Sequence, residues 1–345
     1  MPRVTFDKFD GGLLLARPSS VAPANSLAKL INMDVQPGGW LRSRPKWRPA
    51  TGLIDIPAQW KGLESNAGYL WVFSCWNVAS TGKVSDVVNA ETGDKVVYAF
   101  RSTGTGGSFS DASSTRLVGT TRWESGFVAQ FTTDGGTTYY PTKFSVDTAT
   151  DIVTATNITD VNMPNSGIMV TAGSRIYSVS NDGQTVKFCK VGDPTDWTTA
   201  GNAGSLPVSQ HFASGQRAYG LGLYQGKLAV FTDRSIQLWV IDPDPTAMEL
   251  DRVIDGVGTR HHRSISSLYG DLLFLSESGV RSLTTLSSAL FPSDVDVGLP
   301  IKSFTSSPSV LTRTVNGAPE PAVLALAAGP LAQYWLAAPD AWSEG

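Results

Sequence analysis

The sequence predicts an all-β protein built from repeated strand units. Three observations carry that expectation. Short apolar runs rich in aromatic and β-branched residues recur between Gly, Asp, Asn, Ser and Thr clusters. No segment of ten or more residues shows helical periodicity. The runs themselves repeat at about 40–50 residues, the length of a four-stranded propeller blade. Composition agrees: of 345 residues, 41% are hydrophobic, 17% are charged, 34 are Gly and 20 are Pro. Such a chain has enough apolar surface for a core and too few charges for intrinsic disorder. A helical bundle would be richer in Glu, Lys and Leu at helical spacing.

Residues 1–50 read as an N-terminal arm. Asn25 or Ser26 can cap a helix of about two turns in which Leu27, Leu30 and Ile31 form one apolar stripe. Gln36-Pro37-Gly38-Gly39 is a turn signal. After it, Trp40, Arg42, Arg44, Lys46 and Arg48 share one parity, so an extended chain points all five to one side and Trp47 to the other. Two readings of this ribbon stand: a basic contact for phosphates or an acidic partner, and a solvated edge strand whose charges block edge-to-edge pairing.

Residues 51–345 read as the β domain. Strand-length runs include Tyr69–Phe73, Val96–Phe100, Gly126–Phe131 and Arg175–Val179. Leu223-Tyr224-Gln225-Gly226 followed by Lys227–Phe231 matches Leu268-Tyr269-Gly270 followed by Asp271–Leu275. A second strand follows each, Ser235–Val240 and Gly279–Leu283, and Gly167–Val179 is an earlier copy. Ala67–Ser74 is the weakest copy. The turn glycines 173, 226 and 270 lie 53 and 44 residues apart. A lone four-stranded sheet exposes both faces, and arraying such sheets around an axis buries them. At roughly 45–50 residues per blade the domain has room for about six, with five or seven also accommodated. The apolar window Pro321–Pro339 reads as a strand, a Gly329-Pro330 turn and a second strand, not as a membrane span.

Thr132–Tyr139 fits a Ser/Thr-x-Asp-x-Gly-x-Thr-aromatic turn, the Asp box, in which Asp134 would accept from turn amides. Ser180–Gln184 is a poorer copy, with Gln184 at the glycine position.

Catalytic chemistry is sparse. There is no GxSxG elbow, HExxH, Walker loop or dinucleotide glycine fingerprint. His261 and His262 are adjacent, so on a strand they point to opposite faces and would not share a metal. Cys75 and Cys189 lack zinc spacing and read as buried free thiols of a reducing compartment. Asp193, Asp196, Asp233, Asp242, Asp244, Asp251 and Asp255 sit in turn contexts, where Asx-turn chemistry accounts for them. A glycosidase would need two carboxylates facing each other across a bond. No catalytic, cofactor-binding or metal residue is assigned, and a non-enzymatic role is expected. A formal charge of −3 and the absence of a basic excess argue against a broad phosphate grip. A mildly acidic surface instead lets DNA pass without sticking. No apolar leader is visible at the start, and a soluble protein without membrane insertion is expected.

Several motifs carry a resemblance. Phe6-Asp7-Lys8-Phe9-Asp10-Gly11-Gly12-Leu13 is followed by Ala22–Ser26, Ile31-Asn32-Met33-Asp34-Val35 and Gly38-Gly39-Trp40-Leu41-Arg42-Ser43-Arg44-Pro45. Further on come Gly192–Thr199 with Gly204–Val208, and Asp271–Leu283. In that order they are similar to the β-propeller nozzle, hub or stopper proteins of short-tailed bacteriophages. The resemblance implies a homo-oligomeric ring, usually six-fold, stacked below the portal and adaptor, whose lumen retains and then conducts double-stranded DNA. It implies a virion tail location, with assembly in the host cytoplasm. Arg42, Arg44, Lys46, Arg48 and Trp40 become candidates for contact with an adjacent ring. The chain stops soon after Tyr334-Trp335-Leu336, where family members run on, so the last blade is expected to be incomplete or closed by another segment. The rival readings are a carbohydrate-binding or glycan-cleaving propeller, from the Asp-box turn and ten tryptophans, and a cellular propeller scaffold.

Overall fold

In a computed structural model of the chain, the described residues are 33–35, 41–43, 60–67, 69–76, 87–88, 95–102, 116–132, 138–150, 152–277, 279–288, 312–315, 318–321, 324–328 and 333–337. They fall into two compact units: Pro49–Val230 with Gln237–Arg252, and Met1–Arg48 with Phe231–Ile236 and Val253–Gly345. The described architecture is all-β, as the sequence predicts, with one short α-helix.

Strands β1 (Met33–Val35) and β2 (Leu41–Ser43) pair antiparallel, with Asp34 opposite Arg42. The next sheet holds β3 (Trp60–Asn66), β4 (Tyr69–Trp76), β5 (Val87–Val88) and β6 (Lys95–Ser102), in the order β3-β4-β6-β5. Its β4–β6 pair is parallel, a departure from simple up-and-down order.

Three sequential four-stranded meanders follow. The first is β7 (Arg116–Trp123), β8 (Gly126–Thr132), β9 (Tyr139–Asp147) and β10 (Ile152–Asn157). The second is β11 (Met169–Ala172), β12 (Arg175–Val179), β13 (Val186–Phe188) and β14 (Gly204–Leu206). The third is β15 (Gly220–Tyr224), β16 (Lys227–Phe231), β17 (Ser235–Val240) and β18 (Glu249–Asp255).

A three-stranded sheet holds β19 (Ser266–Leu268), β20 (Asp271–Ser276) and β21 (Gly279–Ser282), and runs into α1 (Leu283–Ser288). Strands β22 (Thr312–Val315) and β23 (Ala318–Pro321) form a pair, as do β24 (Leu324–Ala328) and β25 (Gln333–Ala337). The last pair is the strand–turn–strand read from the apolar window.

The first hairpin reverses in two residues in four of the sheets, at Glu124-Ser125, Gly173-Ser174, Gln225-Gly226 and Tyr269-Gly270, and Ala67 follows β3 at the matching place. The repeat glycines 173, 226 and 270 sit in these tips, with φ of +53°, +79° and +80°. Ala67, Glu124, Ser174, Gln225 and Tyr269 also take positive φ, between +49° and +58°. Such reversals match the right-handed twist of the flanking strands, which fixes hairpin register. Leu283, read as the end of a strand, starts α1 instead. Ser282 Oγ accepts from Thr285 N at 3.2 Å, and the Asp271 carboxylate accepts from Thr284 N at 2.9 Å, so both satisfy the free amides of a helix start.

Within the unit Pro49–Val230 with Gln237–Arg252, the sheets pack face to face. Trp71 and Phe73 of β4 meet Phe127 of β8 edge-on, at centroid distances of 5.5 and 5.4 Å. Phe131, Phe144 and Val146 complete that layer. The opposite face of the β7–β10 sheet contributes Trp123 and Val128 to a layer with Met169, Ile176, Cys189 and Trp197. A third layer joins Tyr177, Val179, Val186 and Phe188 to Leu221, Leu228, Val230 and Trp239. Strands β8 and β12 are therefore buried along their whole length, on both faces. The first strands also neighbour one another: β7 lies beside β3 and β4, and β11 lies beside β7 and β15. Asn66 Nδ2 donates to Glu124 O at 3.0 Å and Gly126 O at 2.7 Å, tying one hairpin tip to the next. A Cβ on Gly119 would stand 1.9 Å from Gly167 O, so β7 and the approach to β11 touch through backbone.

Arg175, at the start of β12, is fully buried, with no carboxylate partner among the described residues. Its Nη1 donates to Cys189 O at 2.8 Å and to Asn202 O, and Nη2 donates to Pro243 O at 2.6 Å. The guanidinium lies 5.1 Å from the Phe188 ring centroid. One side chain thus satisfies the carbonyls of three loops. Replacing Arg175 by Met strands those carbonyls, and we expect urea denaturation to show a loss of about 3 kcal/mol. Lys is expected not to restore it, because one ammonium cannot span donors set in a planar fork. A Lys variant as stable as the parent would contradict this role.

Candidate functional site

Of the sequence-predicted interface residues, Arg42 lies in β2 as register partner of Asp34. Trp40, Arg44, Lys46 and Arg48 lie outside the described residues, as do the short helix and the centre of the Asp-box turn at 133–137.

The weaker copy, Ser180–Gln184, does form a capped turn. The Asp182 carboxylate accepts from Ser180 Oγ at 2.5 Å and Gln184 N at 2.9 Å, while Gly183 takes φ +72°. A glycine at position 184 is not needed, because Gly183 supplies the left-handed residue. Asp193, Asp196, Asp242 and Asp244 behave alike, whereas Asp251 and Asp255, also read as turn residues, lie in strand β18, where Asp251 pairs with Lys227 Nζ at 2.8 Å. Asp193 accepts from Thr195 N at 3.0 Å, Asp242 from Asp244 N at 2.8 Å, and Asp244 from Thr246 N at 2.9 Å. Asp196 accepts from the Thr199 hydroxyl and from the amides of Thr199 and Thr198, which hold its carboxyl at about 2. These are turn anchors, and the hydroxyl and amide donors around Asp182, Asp196 and Asp244 hold those three carboxyls below the ordinary carboxylate range.

Cys189 is a free, buried thiol that accepts a hydrogen bond from Ile176 N at 3.1 Å. Burial pushes it up to about 11, so it is protonated at neutral pH and poorly nucleophilic.

A cleft of about 370 Å3 opens beside β9 and β10, under the segment that leads to β11. Tyr139, Tyr140, Asn157, Thr159, Asp160, Val161 and Asn165 contribute to its lining. The segment is pinned at several points. Ile158 N donates to Pro141 O at 2.9 Å, and Gln130 Nε2 donates to Pro164 O at 2.9 Å. Asp160 Oδ2 accepts from Trp197 N and the Thr198 hydroxyl, both at 2.8 Å, and Oδ1 accepts from Asn162 N at 2.9 Å. Sequence reasoning missed this cleft. Its residues follow no spacing rule and meet only because the strand ends and the crossover segment converge.

A second cluster lies in the unit that contains Val253–Gly345. The segment after β18 lies on the loop between β16 and β17: Thr259 N donates to Thr232 O at 2.8 Å, and a Cβ on Gly258 would fall 2.2 Å from that same oxygen. This close approach gathers Asp233, Arg234, Arg260, His261, His262 and Arg263. Arg260 Nη2 pairs with Asp233 Oδ2 at 3.0 Å. Desolvation, reinforced by Arg263, pushes His262 down to about 4, and His261 is lowered by desolvation and Arg260. Among the described residues, no three of His, Cys, Asp and Glu converge as a metal would need. No helix among them is long and apolar enough to cross a membrane.

The two histidines give the fold a pH dependence. An unfolded chain protonates His262 near the ordinary 6.5, whereas the folded chain refuses the proton until about 4. Their stabilising contribution is thus complete above pH 6.5 and lost as the pH falls toward 4. Thermal melts from pH 7 to pH 4 should show the midpoint falling on acidification, and His262→Gln should flatten that fall. Equal slopes for parent and variant would contradict it.

No family model matches the sequence, and no curated protein matches it. Among solved structures, the extracellular domain of a one-component system from B. thetaiotaomicron aligns with 62% of this chain at 13% identity and a TM-score of 0.32. The aligned part spans 24% of that protein's chain. A likeness of that size bears on neither fold nor function.

Proposed function

We propose that this chain is a structural, ring-forming component of a bacteriophage tail, a nozzle, hub or stopper below the portal and adaptor. The observation that carries the reading is the ordered series of sequence motifs. Two of its members, Ile31–Val35 and Gly38–Pro45, include the strands that pair as β1–β2. In this reading the four-stranded sheets are blades of a propeller of about six, and the first strands, already neighbours between successive sheets, surround its axis.

The mechanism is mechanical and electrostatic. Stacked blades make a rigid body. Heterologous contacts through the arm close copies into a ring, six-fold in the resembling family. An obligate interface of this kind buries about 2,000 Å2 or more. The ring holds double-stranded DNA in its lumen until ejection, and the mild negative charge keeps the DNA from adhering. The protein resides in the virion and has no cofactor and no catalytic step.

The test is assembly. Purified chain, imaged by negative-stain microscopy with the neighbouring adaptor, should form discrete rings that stack on portal–adaptor complexes. Reversing Arg42, Arg44, Lys46 and Arg48 to Glu should abolish stacking while leaving the circular dichroism spectrum unchanged. Stacking that survives all four reversals would remove these residues from the interface, and a chain that never forms rings would remove the role.

A further inference from the structure

We propose that the cleft beside β9 and β10 binds a neutral saccharide. This inference does not depend on the tail reading. The chemistry of the lining selects the ligand class. Tyr139 supplies an aromatic ring, against which the C–H face of a sugar packs. Asn157, Thr159 and Asn165 supply amide and hydroxyl groups at the same opening, the donors and acceptors that a polyol needs. Among the described residues no Lys, Arg or His lines the cleft, so an anionic ligand finds no counter-charge in that lining.

Among the described residues Asp160 is the one carboxylate of the lining, and protein donors already occupy both its oxygens. It shapes the cleft, and among the described residues of the lining no second carboxylate stands opposite it as glycoside hydrolysis needs, so the role proposed here is binding. Its volume of about 370 Å3 falls within the usual range of ligand pockets.

One further observation points outward to a ligand. Val161, on the rim, is 94% exposed, an unusual position for a large apolar side chain, and offers a second apolar contact at the mouth. Gln130 shares its sheet face with Tyr139, because their register partners place both on the side away from Phe131. Its Nε2 reaches Asn165 Oδ1 at 3.2 Å, while its fully buried Oε1 has no hydrogen-bond partner among the described residues. Gln130 lies outside the lining itself and positions Asn165 at the cleft through Nε2.

The experiment is ligand-observed saturation-transfer NMR on the full chain. The probes are glucose, galactose, mannose, N-acetylglucosamine, N-acetylgalactosamine and their β1,4-linked disaccharides at millimolar concentration. At least one should receive saturation, strongest at the ring C–H protons of one face. Tyr139→Ala should weaken that ligand about tenfold. A second variant, T159K/V161K, changes two exposed rim positions, so the fold is retained while solvated chains crowd the mouth, and binding should be lost. Absence of transfer from every neutral sugar would overturn the proposal. So would binding that survives the rim variant, whatever Tyr139→Ala does, or a preference for acidic sugars over neutral ones.

Discussion

A short sheet whose middle strands are apolar on both sides cannot be stable by itself, and every larger feature of this chain answers that constraint. Strand β8 is buried at all seven positions and β12 at all five. Each therefore needs a sheet above and a sheet below. The chain meets the need by repetition. Aromatic residues of β4 meet β8, Trp123 and Val128 meet the β11–β14 sheet, and Tyr177 and Phe188 meet the β15–β17 side chains. Register matters more here than in a half-solvated sheet. A one-residue slip exchanges the two buried faces, and each is shaped for a different neighbour. The tight two-residue tips, with their left-handed residues, exclude that slip.

Much of this was legible in the residues. Continuous apolar runs of strand length pointed to strands buried on both faces, and Gly173, Gly226 and Gly270 marked equivalent tips because a left-handed turn favours glycine. The copy at Glu124-Ser125 carries no such mark, because it makes the same reversal without glycine, with Glu124 at φ +50°. The start of α1 was misread as strand because its cause is distant. Asp271, eleven residues before Ser282, reaches back to cap it, and no local propensity reports such a contact. The parallel pairing of β4 with β6 likewise depends on where a long connection returns the chain.

Arg175 shows the limit more sharply. A lone arginine at the start of a strand usually reaches solvent. Here it is enclosed and, among the described residues, bonded only to neutral carbonyls, so its charge is spread over loop dipoles. The cleft is the same lesson applied to a site. Tyr139, Asn157 and Asn165 are unremarkable in sequence, and their convergence comes from strand length and from the anchoring of the crossover by Asp160 and Gln130. By contrast, the turn carboxylates were readable one by one, since an Asx turn is a local event.

Along the sheet repeat, first strands neighbour first strands. If first strands meet first strands because the sheets radiate from a common axis, electron cryomicroscopy of the purified chain will show about six sheets arranged as a closed disc, with β7, β11 and β15 innermost. Density showing the same sheets layered as an open sandwich, with those strands at its margin, would contradict that arrangement.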